Sequence, residues 1–276
     1  MTRIDAHHHL WRYKPEEYGW ITEQMSVLRR NFLPGDLKPL LDRADIVGTI
    51  AVQARQSLEE TEWLLQLAEE VTWIRGVVGW APIGALDFPG WLETSQQKIK
   101  LKGLRHVIQD EPDEQFILNE DFNRGIAAMR GSGLVYDILI YARYLPQAVQ
   151  FVDRHPEQLF VLDHCAKPAI TKRELEPWAR YMRERARRAN VFCKISGLVT
   201  QAAWGHWVPA ALEPYWRVVL DSFGPNRLLF GSDWPVALLA SEYQRWVDTV
   251  AEWIAPLSEG EREAIWGGNA LRVYSL

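Results

Sequence analysis

The sequence predicts an α/β chain folded as a single (β/α)8 TIM barrel, on three observations. Short apolar, β-branched runs alternate with longer segments of helical period from end to end, the pattern of parallel strands crossed by helices. Eight such strand segments fit into 276 residues, close to the ~250 residues usual for that barrel. No G-x-G-x-x-G or Walker-type glycine loop follows any strand, which argues against a doubly wound sheet.

The elements follow in order. A first strand is expected at Arg3–His8. The segment Arg12–Asp36 after it, carrying Tyr13, Tyr18, Trp20 and Pro34, is too long for an ordinary βα turn and reads as a rim loop or lid. Strands follow at Val47–Gln53 and Arg75–Trp80, separated by a helix at Leu58–Glu70 that sets Leu64, Leu65, Leu67 and Ala68 on one stripe. The remaining strands are expected at Gly103–Val107, Leu134–Ile138, Leu159–His164, Val191–Ile195 and Arg227–Gly231. Helices are expected at Phe122–Gly131, Leu145–Arg154, Arg173–Ala189, Pro209–Phe223 and Glu242–Ile254. A last helix, Glu259–Ile265, leads into Trp266-Gly267-Gly268-Asn269 and closes the barrel. No repeat, low-complexity tract or Ser/Gly linker divides the chain, so residues 1–276 read as one domain.

Composition narrows the functions. With 31 Lys+Arg against 36 Asp+Glu the net charge is −5, and the basic stripe of a nucleic-acid binder is missing. The longest apolar stretch, Leu134 to Ala142, is broken by Asp137 and falls well short of the ~20 residues of a membrane span. Met1-Thr2-Arg3-Ile4-Asp5 has no apolar stretch behind a basic start, so no secretory signal is expected. Two cysteines, Cys165 and Cys193, cannot build a disulfide framework. They read as buried, inert thiols in a cytoplasmic protein. Oligomeric state leaves no mark in the sequence.

In a barrel of this kind, reactive side chains gather where strands end. The first strand ends in His7-His8-His9, and alternation puts His7 and His9 on one face with His8 on the other. Two neutral imidazoles so spaced are natural ligands for zinc or a similar divalent ion. Strand six ends at Asp163-His164, and strand eight runs into Gly231-Ser232-Asp233-Trp234-Pro235. Three histidines and a carboxylate can thus meet at one point, as ligands of one metal or as a metal-free acid–base cluster. Lys194 near the end of strand seven, Arg105 and His106 at strand four, and Gln53 at strand two are candidates to bind a polyhydroxylated ligand. Tyr141, Trp11 and Trp234, the last two among 14 tryptophans, are candidates to wall its pocket. No Gly-x-Ser-x-Gly elbow is present, which argues against a Ser-His-Asp hydrolase.

Ile4-Asp5-Ala6-His7-His8-His9-Leu10-Trp11, Asp163-His164, Phe230-Gly231-Ser232-Asp233-Trp234-Pro235 and Gly268-Asn269-Ala270 together resemble the amidohydrolase superfamily of the amidohydrolase 2 type. Within it the chain is similar to the sugar-lactone hydrolases typified by L-fuconolactonase and L-rhamnonolactonase, most specifically in the His7-His8-His9-Leu10-Trp11 start, in Gly103-Leu104-Arg105-His106 with Gln109, and in Ser232-Asp233-Trp234-Pro235. The resemblance implies that His7 and His9 are the paired histidines of strand one, His164 the third, and Asp233 the strand-eight carboxylate that handles the attacking water's proton. The chain departs from the two-metal members: strand four offers no lysine to be carboxylated, and strand five ends in Tyr136-Asp137-Ile138 without a histidine. The relatives then imply a single divalent ion such as zinc, or a site that works without one. The expected activity is hydrolysis of a small sugar-derived lactone, which needs only a general base and an oxyanion stabiliser. A metal-dependent amide hydrolase or decarboxylase on the same scaffold is the alternative, and a barrel that only binds sugar acids is a third.

Overall fold

The computed structural model describes residues 1–95 and 97–276. Eight strands form one parallel sheet in sequence order: β1 (Ile4–His8), β2 (Gly48–Val52), β3 (Ile74–Gly79), β4 (Leu101–His106), β5 (Val135–Ile138), β6 (Phe160–Leu162), β7 (Val191–Ile195) and β8 (Leu228–Phe230). The ring closes where the chain leaving β8 meets β1: Asp233 donates its backbone N–H to the His7 carbonyl at 2.8 Å, and His9 donates to Trp234 at 2.7 Å. The helices between strands are α1 (Pro34–Arg43), α2 (Leu58–Glu70), α3 (Phe88–Ser95), α4 (Glu120–Ala128), α5 (Leu145–Arg154), α6 (Trp178–Arg185), α7 (Pro209–Phe223) and α8 (Tyr243–Ile254). Two short helices, α9 (Glu259–Glu263) and α10 (Asn269–Val273), end the chain. No helix among the described residues is long and apolar enough to cross a membrane.

Each expected strand is present, with no end shifted by more than two residues. Among the helices between strands two escape the periodicity, α1 and α3, and the reason is local: Pro39 lies inside α1, and α3 begins Phe88-Pro89-Gly90, residues that weaken a helix. The helix expected over Arg173–Ala189 contracts at both ends to α6, because residues 173–177 and 186–189 lie in turns and irregular backbone instead. The rim segment packs on the barrel through buried Tyr18, Ile21 and Leu28, and its base is pinned. Trp11 and Phe32 exchange backbone hydrogen bonds, both 2.9 Å, and a short 3-10 turn at Glu23–Leu28 lies between them.

Two apolar clusters stabilise the fold. The larger one fills the space between the outer faces of the strands and the helices. The smaller lies inside the barrel, where Ile4, Ile50, Val135, Val161, Phe192 and Leu229 pack with Val273 and Tyr274 from the C-terminal end of the chain. The last residues thus plug the end of the barrel opposite the βα loops.

Candidate active site

The phase of β1 decides which histidines face inward. Ile4 and Ala6 both belong to the interior cluster, so simple alternation would turn His8 inward. Instead the β1–β2 register shifts between Asp5 and His8, a local irregularity of the kind that re-aims side chains. Buried Asp5 fixes it: one carboxylate oxygen accepts the N–H of His7 at 3.1 Å and that of Ser232 at 2.9 Å, and the other accepts the Tyr243 hydroxyl at 2.9 Å. Burial raises the Asp5 pKa to about 6. His7 and His9 consequently point into the barrel. His8 points outward and pairs with Thr49 Oγ1 at 2.8 Å.

At the C-terminal ends of the strands, His7 Nε2 and His9 Nε2 stand 3.2 Å apart. Asp233 Oδ1 lies 3.9 Å from His7 Nε2, 3.6 Å from His9 Nε2 and 3.8 Å from His164 Nε2. Burial lowers the pKa of all three imidazoles, His164 to about 4, so each is neutral at pH 7. Burial alone would raise Asp233, but His164, His9 and Lys167 outweigh it and hold the carboxylate below its ordinary value. The far sides of the rings are anchored. His9 Nδ1 donates to the Val52 carbonyl at 2.8 Å, and His164 Nδ1 meets Ser196 Oγ at 2.9 Å. His7 Nδ1 faces Asp163 Oδ1 at 3.4 Å and Lys194 Nζ at 3.2 Å. The Val52 carbonyl fixes the His9 tautomer and leaves its Nε2 to accept, whereas Lys194, which can only donate, makes His7 Nδ1 an acceptor.

These donors suit a metal ion. Two nitrogens on one tetrahedral zinc, each ~2.1 Å from it, stand roughly 3.4 Å apart. His7 Nε2 and His9 Nε2 face each other at 3.2 Å, a spacing that one shared proton or one shared cation satisfies. His7, His164 and Asp233 each offer a ligand atom within 4.8 Å of the others. A second ion is disfavoured, because the Arg105 guanidinium stands 3.4 Å from His7 Nε2 and pairs with Asp163 at 3.0 Å.

A cavity of about 650 Å³ opens above this cluster, with His9, His164, Asp233 and Arg105 among its walls. Glu17, Trp20 and Met25 of the rim segment close one side, while Gln109, Tyr141 and Lys167 stand on its wall with Arg55 and Trp204. Of the residues expected to meet a ligand, Arg105 and Tyr141 line the cavity; Lys194, Gln53, His106, Trp11 and Trp234 do not. Lys194 is fully buried beneath His7, paired with Asp137 and with Asp163 at 3.1 Å, because an inward-facing residue of β7 at that height meets acids from β5 and β6 rather than solvent. Gln53 donates to the Arg105 carbonyl at 3.2 Å. The His106 imidazole pairs with Glu111 and stacks on Phe116. Trp11 donates to Arg30 in the base of the rim segment, and Trp234 packs edge-on against Phe32. Both cysteines are free and buried.

Lys167, Arg55 and Glu17 are cavity residues that strand periodicity does not reveal. Lys167 owes its place to an unusual turn: His164, Cys165, Ala166 and Lys167 have φ of 52°, 51°, 56° and 50°. Left-handed backbone costs roughly 1–2 kcal/mol per non-glycine residue, and such strain collects at functional sites. Gly197 makes room for the turn, since a Cβ there would stand 2.6 Å from the His164 ring.

A parallel barrel with three inward imidazoles and a carboxylate at the C-terminal ends of its strands defines a class, the barrel enzymes whose site can hold a divalent ion above a charged interior. Within that class the chain belongs to the amidohydrolase family, whose profile matches residues 4–276. It is 43% identical over 289 aligned residues to an L-fucono-1,5-lactonase of Burkholderia multivorans, covering 99% of this chain and 96% of that one. An L-fucono-1,5-lactonase of Burkholderia ambifaria is 36% identical, with 99% of this chain and 96% of that one covered. A crystal structure of an amidohydrolase from Burkholderia multivorans with bound zinc has a TM-score of 0.96 and 42% identity, and the match covers 100% of each chain.

Proposed function

We propose that this protein is a lactonase that opens a small sugar-derived lactone, of the L-fucono-1,5-lactone type, to its aldonic acid. The observation that carries the reading is Asp233 Oδ1 within 3.9 Å of three Nε2 atoms on a cavity floor, in a chain so similar to lactonases of that name. The Asp233 carboxylate is ionised at neutral pH and accepts a proton from the attacking water. Neutral His9 and His164 frame that water on the cavity floor. Arg105, fixed by Asp163, lends positive potential to the cavity wall. The ester is electrophilic enough for one base and one stabilised oxyanion.

His7, His9, His164 and Asp233 are the residues that would hold one divalent ion, zinc or similar. When bound, such an ion supplies Lewis acidity that brings the pKa of water toward neutrality.

The reading is tested by an indicator screen of aldonolactones, run with and without chelator on the parent and on Asp233→Asn. The variant is expected to keep its circular dichroism and to lose about 10²- to 10⁴-fold in kcat/KM. Undiminished lactone opening by Asp233→Asn overturns the assignment of the base.

A further inference from the structure

Three cations border the cavity: Arg55, Arg105 and Lys167. Two of them already pair with acids. Arg55 pairs with Glu17 and with Glu60 at 3.6 Å, and Arg105 pairs with Asp163. Among the described residues, Lys167 has no carboxylate within ion-pair distance. Its Nζ donates instead to the neutral Gln109 Oε1 at 2.7 Å, and Tyr141 stands with its ring centroid 5.3 Å away. A half-buried ammonium held by an amide and an aromatic face, and delivered by four left-handed residues from the turn that also delivers His164, helps keep Asp233 ionised through space yet pairs with no carboxylate, so its N–H groups are free to meet an anion formed in the cavity.

We propose that Lys167 is a catalytic residue of the lactonase reaction, donating a charge-assisted hydrogen bond to the lactone carbonyl oxygen as that oxygen becomes an anion. This rests on the lactonase reading. The attacking water forms its C–O bond as one proton passes to Asp233, and the carbonyl π pair moves onto the oxygen held by Lys167. That pair then returns, the ring C–O bond breaks, and the proton on Asp233 passes to the departing ring oxygen. The product is an open-chain hydroxy acid, which loses its carboxyl proton at neutral pH. Because the neutral lactone has little charge to offer while the tetrahedral anion and the carboxylate product do, Lys167 binds the later species more strongly than the substrate. That difference is what raises turnover.

The test measures kcat, KM and inhibition by L-fuconate for the parent, Lys167→Met and Lys167→Arg. Lys167→Met is expected to lower kcat/KM by about 10²- to 10³-fold, mainly through kcat, and to weaken L-fuconate inhibition by about tenfold or more. Lys167→Arg, which keeps the charge, is expected to recover a substantial part of both. A purely structural role for Lys167 would not move product affinity and substrate KM apart. Kinetics and product inhibition of folded Lys167→Met within about threefold of the parent overturn the inference while leaving the lactonase reading in place. Should Lys167→Met not fold, a Lys167→Arg enzyme that is folded but loses activity and product binding altogether overturns it equally. A parent enzyme that opens no aldonolactone ends the lactonase reading itself, and this inference with it.

Discussion

At the N-terminal end of the barrel, Ile4, Ile50, Val135, Val161 and Leu229 close around Val273 and Tyr274. A few ångströms along the same interior, Asp137, Asp163, Lys194, Arg105 and His7 are equally buried but carry charge or polarity at every position. The lower layer is held by non-directional burial, in which a lost methyl costs its own transfer energy and some cavity. The upper layer holds only if each charge finds its partner, because a buried ion left alone is far more costly than a missing methyl. Tyr274 joins the two: its ring belongs to the apolar plug, and its hydroxyl donates to Asp137 at 2.7 Å. The fold therefore ties a tolerant end to an exacting one, and the exacting end supports His7 from below.

The sharpest way to break this arrangement is Lys194→Met, which keeps the volume and removes the cation between Asp137, Asp163 and His7. Burial raises Asp137 to about 6 even with Lys194 beside it. Asp163 is held well below its ordinary value because Lys194, His7 and Arg105 overcome its burial. Removing one partner of such a group is expected to cost about 3–5 kcal/mol, read by urea denaturation, with loss of most lactone turnover as His7 loses its support. A loss under 1 kcal/mol would show that the charged layer is not a unit.

The matching change at the tolerant end is Val273→Ala. It deletes two methyl groups from the plug, with an expected cost of about 2 kcal/mol, while kcat/KM stays within about twofold of the parent. A catalytic loss as large as that of a charged-layer variant would show that the plug tunes the site and does not merely seal it.

The difference between the ends also explains what could be read from the sequence. Strand positions follow from the apolar pattern, alternation puts His7 and His9 on a shared face, and the expectation that this face is the reactive one comes from the rule that reactivity gathers at C-terminal strand ends. The irregularity at Asp5–His8 that makes the pair face inward leaves no periodic trace; only Asp5 itself, a carboxylate inside an apolar strand, marks it. Lys194 is visible as a strand-end lysine, but its burial depends on Asp137 and Asp163 arriving at the same height from β5 and β6, which no single segment encodes. The two tryptophans expected at a pocket wall, Trp11 and Trp234, serve the rim base instead, while Trp20 of the rim segment and Trp204, which the sequence did not single out, reach the cavity. Lys167 lies outside any regular element, in a left-handed turn that propensity rules would not assign to Cys165 or Ala166. Its signal is positional, a lone cation three residues beyond a candidate catalytic histidine.

The smallest expected effect separates His8 from its two neighbours. His8 is a histidine of the fold: it faces outward, pairs with Thr49, and burial lowers its pKa to about 3. Below its unfolded value of 6.5, the unfolded chain takes up a proton at this position that the folded chain refuses. Stability from His8 is therefore present above pH 6.5 and is lost as pH falls toward 3, at up to ~1.4 kcal/mol per pH unit. His7, His9 and His164 act in the same direction. Asp5 and Asp137, raised from 3.8 to about 6, act against it between those values. In His8→Gln one of these titrations disappears while a hydrogen-bonding side chain remains opposite Thr49. The dependence of unfolding free energy on pH between 6 and 4 is then expected to be shallower by up to one proton, with lactone turnover at pH 7 changed only a few-fold. The same substitution at His7 or His9 is expected to abolish most turnover, so equal catalytic damage at all three positions would place His8 in the reacting layer and erase the division between the inner and outer faces of β1.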